Sequence, residues 1–296
     1  MRLLAILSAL VIFPLSLFAD ISETLKQVDA LHDQGRYAEA RDLALGGLSS
    51  ASAREKAELY WRAARSTLEL GNDAEDQGKP KDAILKLFDE GEKLADSGIQ
   101  ADPTDNLPYY WKSANIGRSG QVKGILNSLN RAGSMRDLLV KDVGLNAEHA
   151  DAYYVLGQLY RELPGFPLSF GNIDWAVSLG RLAIDVRERE VASGVEPKMS
   201  WAYYTELGKT LWKRNWSSTN RLSEQQKKKA GYTAAKTPLA KGAAYEAVVT
   251  LASTSDREEA RALVQKAITG FQSMASPTKV DLKDLKEAQE VLASFK

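Results

Sequence analysis

The chain has 296 residues, 44% apolar and 26% charged, the make-up of a folded soluble body rather than of a disordered tail. Lys plus Arg and Asp plus Glu balance at 39 each, so no net positive field draws in nucleic acid. Cysteine is absent, which excludes disulfides, Cys-ligated metals, Cys nucleophiles and a lipid-modified N-terminal Cys.

Met1-Arg2 precedes an apolar run from Leu3 to Ala19 that only Ser8, Pro14 and Ser16 interrupt. One positive charge, a short apolar core and Phe18-Ala19 before Asp20 read as a secretory signal cut after Ala19. Residues 20–296 then form a single exported domain, periplasmic or secreted, with no membrane span once the signal is removed. An uncleaved anchor is the alternative, although a span needs about 20 apolar residues and this run contains a proline.

Ile21 to Gln34 reads as an amphipathic helix stopped by Gly35, and Tyr37 to Ala40 opens a second helix. A long helix follows from Ser52 to Leu70, ended by Gly71-Asn72. Its partner runs from Lys81 to Gly98 and carries the small residues Gly91 and Ala95, with Pro103 just beyond. A third pair opens at Leu107-Pro108, with either Tyr110 or Trp111 as its anchor, and continues from Asn127 to Val143. Between them, Arg118 to Gly124 lacks the G-x4-G-K-[ST] spacing of a phosphate loop and reads as a helix-helix turn.

The next stretch gives the pattern a name. Tyr153, Leu156, Gly157 and Tyr160 match W-x2-L-G-x2-Y, the first-helix signature of a tetratricopeptide (TPR) repeat, and Ala176 and Ala183 supply the small residues of its second helix. The four positions form one helical stripe. A glycine inside it costs roughly 1 kcal/mol against alanine, a cost offset where bare backbone admits a second helix. The aromatic doublets Tyr60-Trp61, Tyr110-Trp111, Tyr153-Tyr154 and Tyr203-Tyr204 recur along the chain, followed at helical spacing by Ala64, Ala114, Gly157 and Gly208.

A fifth repeat carries Tyr204, Leu207, Gly208 and Leu211. A polar, basic stretch from Ser217 to Pro238 includes Lys227-Lys228-Lys229, which reads as a solvated helix face. Leu239 to Leu251, Arg257 to Met274 and Leu282 to Phe295 complete the helices, the last as a terminal cap. The expected fold is all-α: a TPR-like superhelical solenoid of about five helix pairs plus C-terminal capping helices.

No H-E-x-x-H, G-x-S-x-G, glycine-rich nucleotide loop or calcium-loop spacing occurs, and the two histidines, His32 and His149, fall in different repeats. The expectation is therefore a protein without catalysis, cofactor or metal. Stacked helix pairs leave a concave wall lined by first helices. If the anchor aromatics are buried, that wall presents Trp61, Tyr154 and Trp212 beside Arg65, Gln158, Arg161 and Lys209. Aromatic and cationic groups together suit an acidic peptide, or an anionic end on an apolar body. The loop from Leu163 to Phe170 holds two Phe and two Pro. Phe166 and Phe170 either pack on the solenoid flank or form a lid over a binding surface.

Trp61-Arg62-Ala63-Ala64-Arg65, the Trp111 helix, Gly124-Ile125-Leu126-Asn127-Ser128 and the Leu156-Gly157 helix resemble the TPR-like domain of the regulator of microtubule dynamics family. With an export signal, the architecture is also similar to the periplasmic T component of TRAP transporters. These resemblances imply binding of a protein partner or of a hydrophobic ligand. Two functions follow as expectations: an exported scaffold holding a protein partner or peptide segment in its groove, or a periplasmic binding protein for a hydrophobic or amphipathic small molecule, associated with a transporter.

Overall fold

The computed structural model describes residues 21–296, with backbone alone for 125–128, and every regular element among the described residues is helical. The segment 1–19, expected to be an export signal, lies outside them. None of the described helices is long and apolar enough to cross a membrane.

The chain folds as consecutive helix pairs. The first is α1 (Ile21–Asp33) with α2 (Tyr37–Gly46), joined through Gly35 at φ +73°, a left-handed conformation that costs glycine nothing. Next come α3 (Ala53–Asp76) with α4 (Lys81–Ala101), and α5 (Leu107–Lys123) with α6 (Ile125–Leu145). The fourth is α7 (Ala150–Glu162) with α8 (Ile173–Ala192). Ser52 caps α3 in a reciprocal box with Glu55, and Asn172 caps α8 through the Asp174 and Trp175 amides, so short polar signals set where these helices begin.

The fifth pair is discontinuous in sequence. α9 (Ala202–Arg214) ends at Asn215, whose φ of 57° turns the chain away. α10 (Ser218–Ala234), α11 (Pro238–Ala243) and a 3-10 turn, Tyr245–Ala247, then cross the flank of α8 before α12 (Asp256–Gln272) returns to pair with α9. α13 (Lys279–Ser294) packs on α12 and α9 as the terminal cap.

Small residues make the close contacts. Gly157 of α7 faces the backbone of α8, where an added methyl would lie 3.4 Å from the Ala176 carbonyl oxygen. A methyl at Gly208 would stand 2.5 Å from Cγ2 of Val264 in α12. Around these seams Tyr153, Leu156, Leu179 and Leu211 are buried, each stabilising by about 1.5–3 kcal/mol for full burial of a side chain of that size.

Several helix boundaries depart from the sequence expectation. α3 does not stop at Gly71-Asn72 but runs on to Asp76, because Gly71 is the contact point for Phe88 of α4. Arg118 to Lys123 is helical, and the turn is Gly124 alone at φ +103°. Leu239 to Leu251 yields only the short α11 and a 3-10 turn. Tyr110 and Trp111 divide the anchor role: Tyr110 meets His149 edge-on, while Trp111 packs toward Leu68 and Phe88.

Candidate functional site

Helices α3 and α5 pack directly on each other, whereas α5 and α7 make little contact, so a seam opens between the third and fourth pairs. Asn115 ties α5 to α3, its Nδ2 donating to the Ala64 carbonyl at 3.4 Å and to the Trp111 carbonyl at 2.9 Å. No comparable bond joins α5 to α7 among the described residues. Between them opens a crevice of about 390 Å³, walled by Ile116, Leu129, Ala132, Met135, Val155 and Leu159. Gln121, Gln158 and Glu162 bring the polar groups to an otherwise apolar lining. A pocket of this volume with few polar groups suits one apolar side chain or a small apolar molecule.

Gln158 is thus the one expected wall residue that lines this crevice. Tyr154 precedes it by one helical turn and stacks on Tyr203 with ring centroids 4.5 Å apart. Arg161 and Lys209 meet at one carboxylate: Arg161 Nη1 lies 2.5 Å from Glu206 Oε2 and Lys209 Nζ 2.5 Å from Oε1. Lys209 also reaches Glu287 of α13 at 2.9 Å. Burial pushes the Lys209 pKa down, but Glu206 outweighs it, so the ammonium titrates above its ordinary value. Trp212 lies flat on Phe295, centroids 4.2 Å apart, with the Arg257 and Arg261 guanidinium groups over its ring. The C-terminal cap therefore covers this end of the wall.

Trp61 and Arg65 form a separate cluster. Trp61 shares the buried stripe of α3 with Ala57, Ala64, Leu68 and Gly71, so it faces the core and not the open wall. This reverses the expectation that Tyr60 is the buried member of that doublet. The Trp61 ring lies under Arg62, and its Nε1 donates to Glu58 at 2.9 Å. Arg65 donates to Asp29 of α1 at 2.6 Å.

Phe166 and Phe170 border a different hollow from the crevice. Phe170 is wedged between Tyr160 and the Arg136 guanidinium, whereas Phe166 is 93% exposed. Their hollow is completed by Trp175 and Leu239, on the flank carrying α11.

A group that the sequence reading missed is the ion cluster beneath α10. Arg214 Nη1 meets Glu246 at 2.7 Å and Asp174 at 2.9 Å, and its Nε meets Asp256 at 2.8 Å. Arg181 bridges Glu246 and Glu259, Arg221 binds Asp256 and Glu259, and Lys228 binds Asp174 and Glu246. Burial pushes the Glu246 pKa up, but Arg214, then Arg181 and Lys228, more than reverse this and hold it well below the carboxylate range. Lys228 is therefore an internal partner, and only its neighbours Lys227 and Lys229 match the expected solvated face. The basic run gave no hint of this, because the acids lie far off in sequence. Among the described residues no group of His, Asp or Glu is arranged to hold a metal.

Comparison with known proteins agrees with the helix pairing. The structure superposes on a thermophilic TPR protein, TTC0263, of Thermus thermophilus with a TM-score of 0.55 at 14% identity, covering 93% of this chain and 100% of that one. The fold is that of a tetratricopeptide-like (TPR-like) helical array. Residues 24–164, the first three helix pairs and α7 of this TPR-like chain, match the family described as regulator of microtubule dynamics protein 1-3. The MamA protein is a more distant structural neighbour, at TM-score 0.33 and 14% identity over 87% of this chain and 98% of that one. No curated protein sequence matches.

Proposed function

We propose that this TPR-like chain is a non-catalytic adaptor that holds a segment of a protein partner along its inner wall. An apolar side chain of that segment would seat in the crevice between α5, α6 and α7. The crevice is the observation that carries this reading. It opens at the seam between the third and fourth pairs, is lined by apolar groups, and carries Gln158 as a polar side chain that would hydrogen-bond a partner backbone. Toward the C-terminal end Arg161 is buried against Glu206, and Lys209 is held by Glu206 and Glu287. The partner is therefore expected to be anchored more by shape and apolar contact than by acidic charge. The name of the matched family, regulator of microtubule dynamics, also describes a protein that acts on other proteins.

The same volume favours a second reading, a hydrophobic small molecule held in the crevice, as for a transporter-associated binding protein. Export to the periplasm or beyond, with removal of 1–19, belongs to both readings and rests on the N-terminal composition. Mass spectrometry of the purified protein under non-denaturing conditions separates the two. A retained apolar molecule lost in Ala132→Trp, which fills the crevice, supports the ligand. A bare protein that binds selected peptides, but not as the Ala132→Trp variant, supports the adaptor. Peptide and small-molecule binding that both ignore the substitution would remove the crevice from either reading.

A further inference from the structure

The loop between α7 and α8 raises two large apolar side chains into solvent. Phe166 is 93% exposed and Leu168 83% exposed, the two most exposed large apolar side chains among the described residues. The stretch Leu163 to Asn172 contains no charged residue. Its base is held firmly: the Gly171 amide donates to the Pro164 carbonyl at 2.9 Å, and the Asn172 amide to the Tyr160 carbonyl at 2.8 Å. A methyl at Gly171 would fall 1.9 Å from the Leu163 carbonyl oxygen, so only glycine permits the loop to close so tightly. The apolar tip is thus built into the fold.

The surroundings carry the complementary charge. Leu239 borders the same hollow as Phe166 and Phe170, and Lys236 and Lys241 flank it along the chain. From Gln225 to Tyr245 there are five lysines and no acid. Of these, Lys228 is committed to the internal ion cluster and Lys227 to Glu224, while Lys229, Lys236 and Lys241 are exposed and make no ion pair among the described residues. The nearby acids are engaged: Asp174 by Arg214 and Lys228, Glu162 by Arg161, and Asp137 by Arg136. Trp175, 37% exposed, stands at the rim with its ring against Tyr160.

We infer that this loop is a membrane-docking tip: Phe166 and Leu168 enter the interface of an anionic lipid surface while the lysines of the α10–α11 segment meet its headgroups. A projecting tip with an aromatic rim and flanking cations fits a lipid interface better than a protein groove. Apolar side chains gain by leaving water, tryptophan favours the headgroup level, and each lysine adds a screened attraction. No helix inserts, and the contact is reversible.

The test is sedimentation of the purified full-length protein with vesicles of phosphatidylglycerol and, separately, of phosphatidylcholine. Wild type is expected to bind the anionic vesicles and to dissociate as salt is raised. Phe166→Ser with Leu168→Ser should weaken partitioning by at least about tenfold, because both side chains lose their apolar transfer. Both residues are exposed, so circular dichroism should show the fold unchanged. Lys236→Glu with Lys241→Glu should weaken binding to the anionic vesicles while leaving the tip intact. Absence of vesicle binding by wild type, equal binding to both lipids, or indifference to the tip substitutions would each overturn the proposal. Capture of a protein by the tip of a chain that ignores vesicles would do the same.

Discussion

Gly208 of α9 lies directly beneath Val264 of α12, with room for no methyl group between them. Two helices separated by the whole α10–α11 excursion thereby complete one TPR-like pair, and the last unit of the array depends on that contact. Gly208→Leu should overpack the seam and destabilise the fold by about 1–3 kcal/mol, read as a lower midpoint in urea unfolding. Gly231→Ala in α10, where the added methyl meets open space, should instead stabilise by up to about 1 kcal/mol. Equal effects from the two substitutions would contradict the pairing.

The buried ion cluster predicts acid sensitivity. Glu246 and Glu259 both have folded-state pKa values below their ordinary ones, burial being outweighed by their arginine partners. A lowered carboxylate pKa contributes stability that is present above the unfolded value and is lost as pH falls through the folded one. The melting temperature should therefore decline below about pH 4–5, and Glu246→Gln should flatten that decline. The substitution should also cost about 3–5 kcal/mol at neutral pH, because it leaves Arg214 and its neighbours with uncompensated buried charge.

The two histidines should titrate on opposite sides of the ordinary value. His32, packed on Tyr37 and hydrogen-bonded to Ser66, is pulled down to about 4 by burial and then by Arg65. For His149 burial also pulls downward, but Asp142, 2.8 Å from Nδ1, more than reverses it and raises the pKa. Its contribution to stability is complete below the unfolded pKa of about 6.5 and is lost as pH rises through the folded value. Proton NMR should resolve two imidazole titrations, one near 4 and one above 6.5. His149→Gln should remove the upper one, together with the fall in stability on its alkaline side. Two titrations at the unperturbed value would refute both environments.

How much of this was legible in the sequence follows from range. The stripe Tyr153, Leu156, Gly157 and Tyr160 announces a helix and its partner because all the residues concerned are close in sequence. Gly35 and Ser52 mark helix ends for the same local reason. Gly71 misled because a glycine at a close helix contact resembles a glycine at a helix end until Phe88 is placed against it. The Tyr60-Trp61 doublet misled because register along α3 is fixed by what α4 and α5 bury, and both members are aromatic. The crevice has no local signal, since α5, α6 and α7 each present an ordinary apolar face and only their imperfect nesting creates the space. Lys228 belongs with these long-range cases, its partners being Asp174 and Glu246.

The central claim is that recognition occurs on the inner wall at the seam of α5, α6 and α7. It is tested most directly by placing a photoreactive side chain at Gln158, which lines the crevice, and a control at Lys86, on the distant flank of α4. After irradiation in the cell, the Gln158 variant should give a discrete adduct that disappears when Ala132→Trp fills the space, and the Lys86 variant should give none. Adducts of equal yield at both positions, or an adduct at 158 that persists with the crevice filled, would contradict it.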